Sequence, residues 1–350
     1  MVAGPDRGHD RPAAFATAGT PLMRPSRQTL IWIIRIAVSA VVLAVIFHIV
    51  PFAQVMDAIQ RLPLWVWGAG FALFLIGHAL TAAKWWMLIG ADMPFGRAFR
   101  AHLAGLGANL ALPGVAGGDV VRAALVLPVT KDKGRLAMGS LADRLIDTVS
   151  LALVALVGAW FAFATALESA LEIMAVLIGI SIAAIVAVRF LGPPLGAWAL
   201  KRAGEGKVGK LLARVGELLV DFARRPGLLL ACLVLSIAVQ CLFVGINIAF
   251  ASALGMTLSD AAWFYAWAAA KIIAILPISL GGLGVREASM AALLQPFGAD
   301  YGAVIAVGLI WQTVLYASGL LGILIQSGLS VLPGRAKPSA NDTPSQTRQI

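Results

Sequence analysis

The chain has 350 residues, of which 60% are hydrophobic and only 13% charged, with a mean hydropathy of +0.89 and a formal net charge of +10. A soluble globule is roughly one quarter charged, so a water-soluble fold is excluded. Long apolar runs stand where a transmembrane β-barrel would show short alternating segments, so the composition points to a polytopic helical membrane protein.

Residues 1–28 are polar and rich in Pro, Ala and Gly, and read as a disordered tail. From Leu30 to Val50 the sequence is apolar except for Arg35. That run exceeds a signal-peptide core and lacks a small-residue cleavage pattern after it, so it is expected to be an uncleaved anchor. In "PFAQVMDAIQR", Phe52, Val55, Met56 and Ile59 share one helical face, as in an interfacial helix. Further spans are predicted over 63–90, 137–165, 170–190, 227–253 and 301–329. Two other apolar stretches, 98–127 and 260–297, are interrupted by Pro and Gly. Each is too broken for one span but long enough for a re-entrant hairpin of two half-helices. Irregular backbone at that depth is tolerated only when protein shields it or a wet cavity receives it. The segment 194–225 alternates Trp198, Leu211, Leu212, Val215, Leu218, Leu219 and Phe222 with Lys and Arg. It fits a basic amphipathic helix on an anionic leaflet, with a solvated connector as the alternative. Residues 331–350 are again polar.

Charge orders these elements across the membrane. With the re-entrant layout, 21 Lys and Arg residues fall on one side and Arg61 alone on the other. The positive-inside rule then puts both termini in the cytoplasm, with six full spans between them. Multi-pass insertion in a bacterial-type inner membrane is expected.

Two motifs carry the chemistry. "LPGVAGGDVVRAA" starts at Leu112 and "LPISLGGLGVREA" at Leu276, an offset of 164 residues. Adding that offset to 63–90 and 137–165 reproduces the fifth and sixth spans. The fold class is therefore an all-α integral membrane protein built as an inverted repeat, three spans plus one re-entrant broken-helix hairpin per half. The halves are 29–165 and 166–330, the second holding the amphipathic insertion at 194–225.

In each motif the proline ends one half-helix and the paired glycines turn the backbone. The next half-helix begins with free amides and the positive end of its dipole. Arg122 and Arg286 lie at that same end, and the combination suits an anion such as a phosphate. A structural ion pair is the competing role, with Asp119 beside Arg122 and Glu287 beside a basic neighbour. Asp143 and Asp147 share a face of the third span and are placed to receive Arg122 or Lys84, or to carry a coupling proton. Lys84, beside Trp85 and Trp86, is expected to snorkel to the interface. Lys271 is an intramembrane candidate with no neighbour evident in sequence. Asn109 and Gln312 are expected to satisfy carbonyls freed by the breaks. His9, His48, His78 and His102 are scattered and expected to be unremarkable. Cys232 and Cys241 read as small packing residues. The sequence contains no GxxxxGK[ST], HExxH, GxSxG or Cys/His cluster. No ATP-driven pumping, catalysis, cofactor or metal is expected.

"NLALPGVAGGDVVRA", "LADRL" and "PISLGGLGVREAS", in that order, resemble the flippase-like transmembrane domain of lysylphosphatidylglycerol synthetases and their stand-alone relatives. The resemblance covers residues 30–330. It implies a helical bundle with re-entrant helices and the movement of a lipid between leaflets. It also marks Asn109, Pro113, Gly117, Gly118, Asp119, Arg122, Asp143, Arg144, Pro277, Gly281, Gly282, Arg286 and Glu287 as matching site residues. Asp147 and Lys271 join them as substrate-binding candidates on the reading of the residues. Lys84 departs from the family, standing where an arginine is expected. No soluble aminoacyl-transferase domain accompanies the sequence, so synthesis of a lysyl lipid is not expected.

The sequence thus predicts a lipid translocator with a midplane cavity lined by Arg122 and Arg286. Its partners are membrane lipids with anionic or zwitterionic headgroups; a lipid-synthesis enzyme and homo-oligomerisation stay open, and no nucleic acid is expected. A membrane-embedded lipid transferase and a scaffold for lipid or glycolipid assembly are the rival readings. The layout is checked by cysteine labelling: single cysteines at 166–169 and at 298–300 should react with an impermeant maleimide from outside the cell. Labelling from the cytoplasm alone would remove the inverted repeat.

Overall fold

A computed structural model describes residues 44, 48, 52–90, 93–111, 117–164, 170–275 and 284–331. The predicted first span, 30–50, apart from residues 44 and 48, and the motif residues Pro113, Pro277, Gly281 and Gly282 lie outside the described residues. Every regular element among those described is helical. They are α1 (Phe52–Arg61), α2 (Leu64–Ile89), α3 (Phe95–Ala111), α4 (Gly117–Val126), α5 (Lys133–Ala164) and α6 (Ala170–Arg202). Then follow α7 (Lys207–Arg224), α8 (Pro226–Ala253), α9 (Asp260–Ile275), α10 (Val285–Leu294) and α11 (Tyr301–Val331). One-turn 3-10 helices close the second arm of each helix pair, at Leu127–Val129 and Gln295–Phe297.

Helices α2, α5, α8 and α11 are long and apolar enough to cross a membrane. Their outward positions carry large apolar side chains such as Leu64, Trp160, Phe163 and Leu324, all more than half exposed. Hydrocarbon solvates those side chains, and the helical ladder satisfies the backbone that hydrocarbon cannot. Helix α6 does not stop at the predicted 190: it runs through Pro193 and Pro194 to Arg202. The amphipathic insertion therefore begins inside a helix. The reason is packing, since α6 and α7 form an antiparallel pair in which Gly196 and Gly216 touch. A Cβ on Gly196 would stand 2.7 Å from the Gly216 carbonyl oxygen. Backbone-to-backbone approach of this kind extends both helices past the point where composition changes.

The 164-residue offset extends to the packing. The equivalent spans α2 and α8 pack on each other. The first arm of each helix pair leaves its own half: α3 packs on α11, and α9 packs on α5. Small residues at equivalent positions make both crossings tight. A Cβ on Gly158 of α5 would lie 2.5 Å from the Tyr265 amide nitrogen of α9. A Cβ on Gly322 of α11 would lie 2.1 Å from the Leu103 carbonyl oxygen of α3. Gly158 and Gly322 are themselves 164 residues apart, so both halves keep the same bare spot at the same contact.

The two copies differ at the break. Helices α3 and α9 coincide under the offset, but α10 starts later than α4 would predict. Gly284, with φ of 79°, caps α10 from the left-handed region. Arg122 is consequently the sixth residue of α4, whereas Arg286 is the second residue of α10.

Between the halves stands an aromatic group. Phe74 lies 5.2 Å from Phe243 and 5.3 Å from Trp311, and Trp311 lies 6.0 Å from Trp267, measured between ring centroids. These rings form the apolar wall of the cavity described below. Gly158→Val is expected to destabilise the protein by about 1–3 kcal/mol by overpacking the α5–α9 crossing. The check is the thermal unfolding midpoint of purified protein in detergent, with exposed Gly245→Val as the comparison.

Candidate functional site

Helices from both halves enclose a cavity of about 300 Å³. Asn109, Gly118, Asp119, Arg122, Asp143, Arg144, Asp147, Lys271 and Arg286 all line it. These nine predicted site residues, from α3, α4, α5, α9 and α10, meet only in the folded chain. Gly117 begins α4 beside them, and Glu287 sits behind Arg286.

Arg122 is the centre of the first half's cluster and is 3% exposed. Its Nη2 lies 2.6 Å from Asp143 Oδ2 and 3.1 Å from Asp119 Oδ1. Its guanidinium carbon stands 4.7 Å above the Trp85 ring. On the far side of Asp143, Lys84 Nζ lies 3.1 Å from Oδ1 and also pairs with Asp147. Lys84 further donates to Ser236 Oγ at 3.2 Å, and Ser236 donates to Asp147. Asp119 pairs in turn with Arg144. The chain of contacts is Arg144, Asp119, Arg122, Asp143, Lys84, Asp147: three cations alternate with three carboxylates. Taking such ions out of water is costly, and alternation is the arrangement in which each charge recovers part of its lost solvation.

Lys84 therefore does not snorkel. Its side chain is 1% exposed and points inward, because two carboxylates on α5 offer more than the distant interface. The expected pairing of Asp143 and Asp147 with Arg122 and Lys84 is present.

The second half is simpler. Arg286 pairs with its neighbour Glu287, whose side chain is 1% exposed. Glu287 Oε2 accepts from the Gly284 amide at 2.9 Å, capping α10. Arg286 also donates to Gln312 Oε1 at 3.3 Å and to the Gly308 carbonyl at 3.4 Å. Glu287 is thus both helix cap and counter-ion, and its ion partner is the residue that precedes it in sequence.

Two structural roles assigned from sequence change. Asn109 was expected to bond a freed carbonyl; its Oδ1 instead accepts from the freed Gly118 amide at 2.7 Å. Gln312 likewise serves Arg286, not a carbonyl. In each case the neighbour is a donor, a freed helix amide for Asn109 and a guanidinium for Gln312, so the amide oxygen is the useful end.

The histidines are also not scattered in space. His78 of α2 and His102 of α3 meet with Nδ1 to Nε2 at 2.9 Å, and both line the cavity. Arg122 Nη1 donates to His102 Nδ1 at 3.3 Å. A guanidinium has only donors, so His102 Nδ1 accepts and its proton sits on Nε2. That N–H donates to His78 Nδ1, which leaves the proton of His78 on its own Nε2. Both rings are neutral in this arrangement, and the chain of donors runs from Arg122 toward the aromatic wall. Sequence reasoning also missed Ser236 and Gln240. The available signal was their spacing: two polar residues one turn apart in the apolar α8, continued by Phe243 on the same face.

Lys271 sits on the remaining wall. It donates to Gln240 Oε1 at 3.0 Å, and its Nζ lies 4.7 Å from the Trp267 ring centroid and 5.5 Å from that of Phe243.

Fold and site together define a membrane-embedded helical protein with an alternating charge network in its first half, beside a cavity that both halves line. The family model of the lysylphosphatidylglycerol synthase TM region matches residues 32–322, and the chain belongs to that family. A search of curated proteins and a search of solved structures each returned no match.

Removing one carboxylate at a time separates the network's members. Asp143→Asn leaves Arg122 with Asp119 alone and Lys84 with Asp147 alone, so the network carries one uncompensated buried positive charge, and it should cost about 3–5 kcal/mol. Asp119→Asn should cost clearly less, because the Asp119 side chain is 22% exposed against 1% for Asp143. Thermal unfolding of both variants in detergent checks the order.

Proposed function

We propose that this protein is a lipid translocator. It moves a phospholipid or another polar-headgroup lipid between leaflets, with the headgroup passing through the cavity lined by Arg122 and Arg286 and the acyl chains left in the bilayer. The observation that carries this reading is one cavity lined by charged residues from both halves inside an apolar helical bundle. Charge buried in a membrane protein marks the path of a polar solute, and membership of a lysyl-lipid synthase TM family supports a lipid as that solute.

The same packing suggests how exposure alternates. Each helix pair leans on the last span of the other half, so α3 with α11 and α9 with α5 form two units. In this reading the pairs are re-entrant hairpins, the halves are inverted in the membrane, and the units rock against each other about the α2–α8 contact. The alternating network keeps its ions paired while one unit moves, and Glu287 relieves Arg286 when no headgroup is present. The protein has no catalytic part in this scheme.

The test is reconstitution. Wild-type protein in liposomes should accelerate transbilayer movement of a labelled anionic lipid, and Arg286→Gln should slow it by about tenfold, the effect of losing roughly 1.4 kcal/mol of charged-group interaction. Arg286 is the better first target because its removal leaves Glu287 still capping α10. Unchanged rates in both Arg286→Gln and Arg122→Gln would reject a role for the arginines and favour the scaffold reading.

A further inference from the structure

Most of the buried charge in the cavity is already neutralised within the protein. Arg144, Arg122 and Lys84 face Asp119, Asp143 and Asp147, three against three, and Arg286 faces Glu287. Lys271 is left over. Among the described residues no carboxylate lies within ion-pair distance of it, and an amide oxygen and two aromatic faces surround its ammonium. The cavity therefore holds one uncompensated positive charge, on a single atom.

Two more donors line the same cavity without an acceptor. Trp267 stands one turn before Lys271 on α9, and it is 2% exposed with its indole Nε1 lacking any hydrogen-bond partner. Burying an indole N–H unpaired carries a penalty, which a ligand acceptor removes. His78 is the second: its Nδ1 is taken by His102, so Nε2–H is its free end, and no described residue accepts from it. Phe243 stands among all three. Its ring centroid is 5.4 Å from that of His78, 6.3 Å from that of Trp267 and 5.5 Å from Lys271 Nζ.

We propose that Lys271, Trp267 and His78 form a binding site for one phosphodiester monoanion. Arg122, already paired with Asp119 and Asp143, then acts as a positioning residue that sets the His102–His78 tautomers, and Arg286, paired with Glu287, is not part of this site. A group with only acceptor oxygens matches the three donors Lys271 Nζ, Trp267 Nε1 and His78 Nε2. A single negative charge matches the single free cation. A phosphate monoester, at about −1.5 to −2, would overfill the site. An ammonium headgroup has no free carboxylate to meet there. The aromatic wall of Phe74, Phe243 and Trp311 offers an apolar surface for the carbon attached to the phosphate. Assigning this phosphodiester to a travelling lipid rests on the translocator reading; the binding itself does not.

Binding and transport are measured separately on the full chain. In non-ionic detergent the probes are dihexanoyl-phosphatidylglycerol, dihexanoylglycerol, hexanoate and inorganic phosphate, followed by calorimetry. Wild type should bind the phosphatidylglycerol, and Lys271→Gln should weaken it by about tenfold, as the loss of one charge-assisted contact requires. Lys271→Arg should restore most of the affinity. Trp267→Phe, which keeps the ring and loses only the N–H, should weaken it by a few-fold. Dihexanoylglycerol and hexanoate should bind far more weakly than the phosphatidylglycerol. Inorganic phosphate, which carries more than one negative charge on average, should compete only weakly, and binding of inorganic phosphate with no phosphatidylglycerol binding overturns the phosphodiester assignment. Unchanged affinity in Lys271→Gln, equal binding of the phosphate-free probes, or no binding of either phosphate probe overturns the proposal. Phosphatidylglycerol binding without liposome transport would sink the translocator reading and leave this site standing. Transport that persists with unchanged binding in Lys271→Gln would do the reverse.

Discussion

A guanidinium at the depth of a bilayer has no water to turn to, and in this protein Arg122 turns to Asp143 at 2.6 Å. Much else follows from that contact. Asp143 also holds Lys84 on its other oxygen at 3.1 Å. Lys84 draws in Asp147 and Ser236, and Arg122 draws in Asp119 and, through it, Arg144. Helices α2, α4, α5 and α8 are thereby joined by charge at a point where apolar contact alone gives little orientation, since lipid tails are as apolar as the side chains they would replace. The network also leaves a cavity beside it, because six ionic groups do not close-pack with aromatic rings.

The second constraint is steric. Helices α3 and α9 cross to the opposite half, and each crossing needs backbone contact at a glycine, Gly322 for α3 and Gly158 for α9. Exchange of this kind makes the halves interdependent: neither helix pair finishes its packing against its own half. It also forms two packed units, each combining an arm of one half with a span of the other.

The two motifs are alike in sequence but unlike in service. Arg122 lies in the second turn of α4 and is shared among two carboxylates, a histidine and an indole ring. Arg286 lies at the start of α10, with one carboxylate beside it and part of its side chain open to the cavity. The displacement of α10 relative to the repeat accounts for the difference, and it turns on Gly284, which the second motif has and the first lacks. Asp119 does occupy the dipole end of its own helix, but it also serves as the bridge from Arg122 to Arg144. Neither arginine is left without a carboxylate; among the described residues the cavity-lining cation without one is Lys271, which lies outside both motifs.

By itself the sequence determined the class, the family resemblance, the helices α2, α5, α8 and α11, the two interrupted segments and the repeat. These are properties of composition and periodicity, and they survive any arrangement of the helices in space. It also marked Arg122, Asp143, Asp147 and Lys271 as charges out of place in apolar runs, since a charge in such a run needs a reason wherever it ends up. Only the tertiary structure decided who partners whom. Lys84 reads as an interfacial lysine beside two tryptophans until α5 supplies two carboxylates from some sixty residues away. His78 and His102 are unremarkable in sequence until α2 and α3 pack and place a ring nitrogen of each within 2.9 Å. The solitary charge of Lys271 is likewise invisible in a count that includes the four acids Asp119, Asp143, Asp147 and Glu287. Pairing depends on distance, and between residues on different helices distance is set by packing, which has no counterpart in the order of the chain.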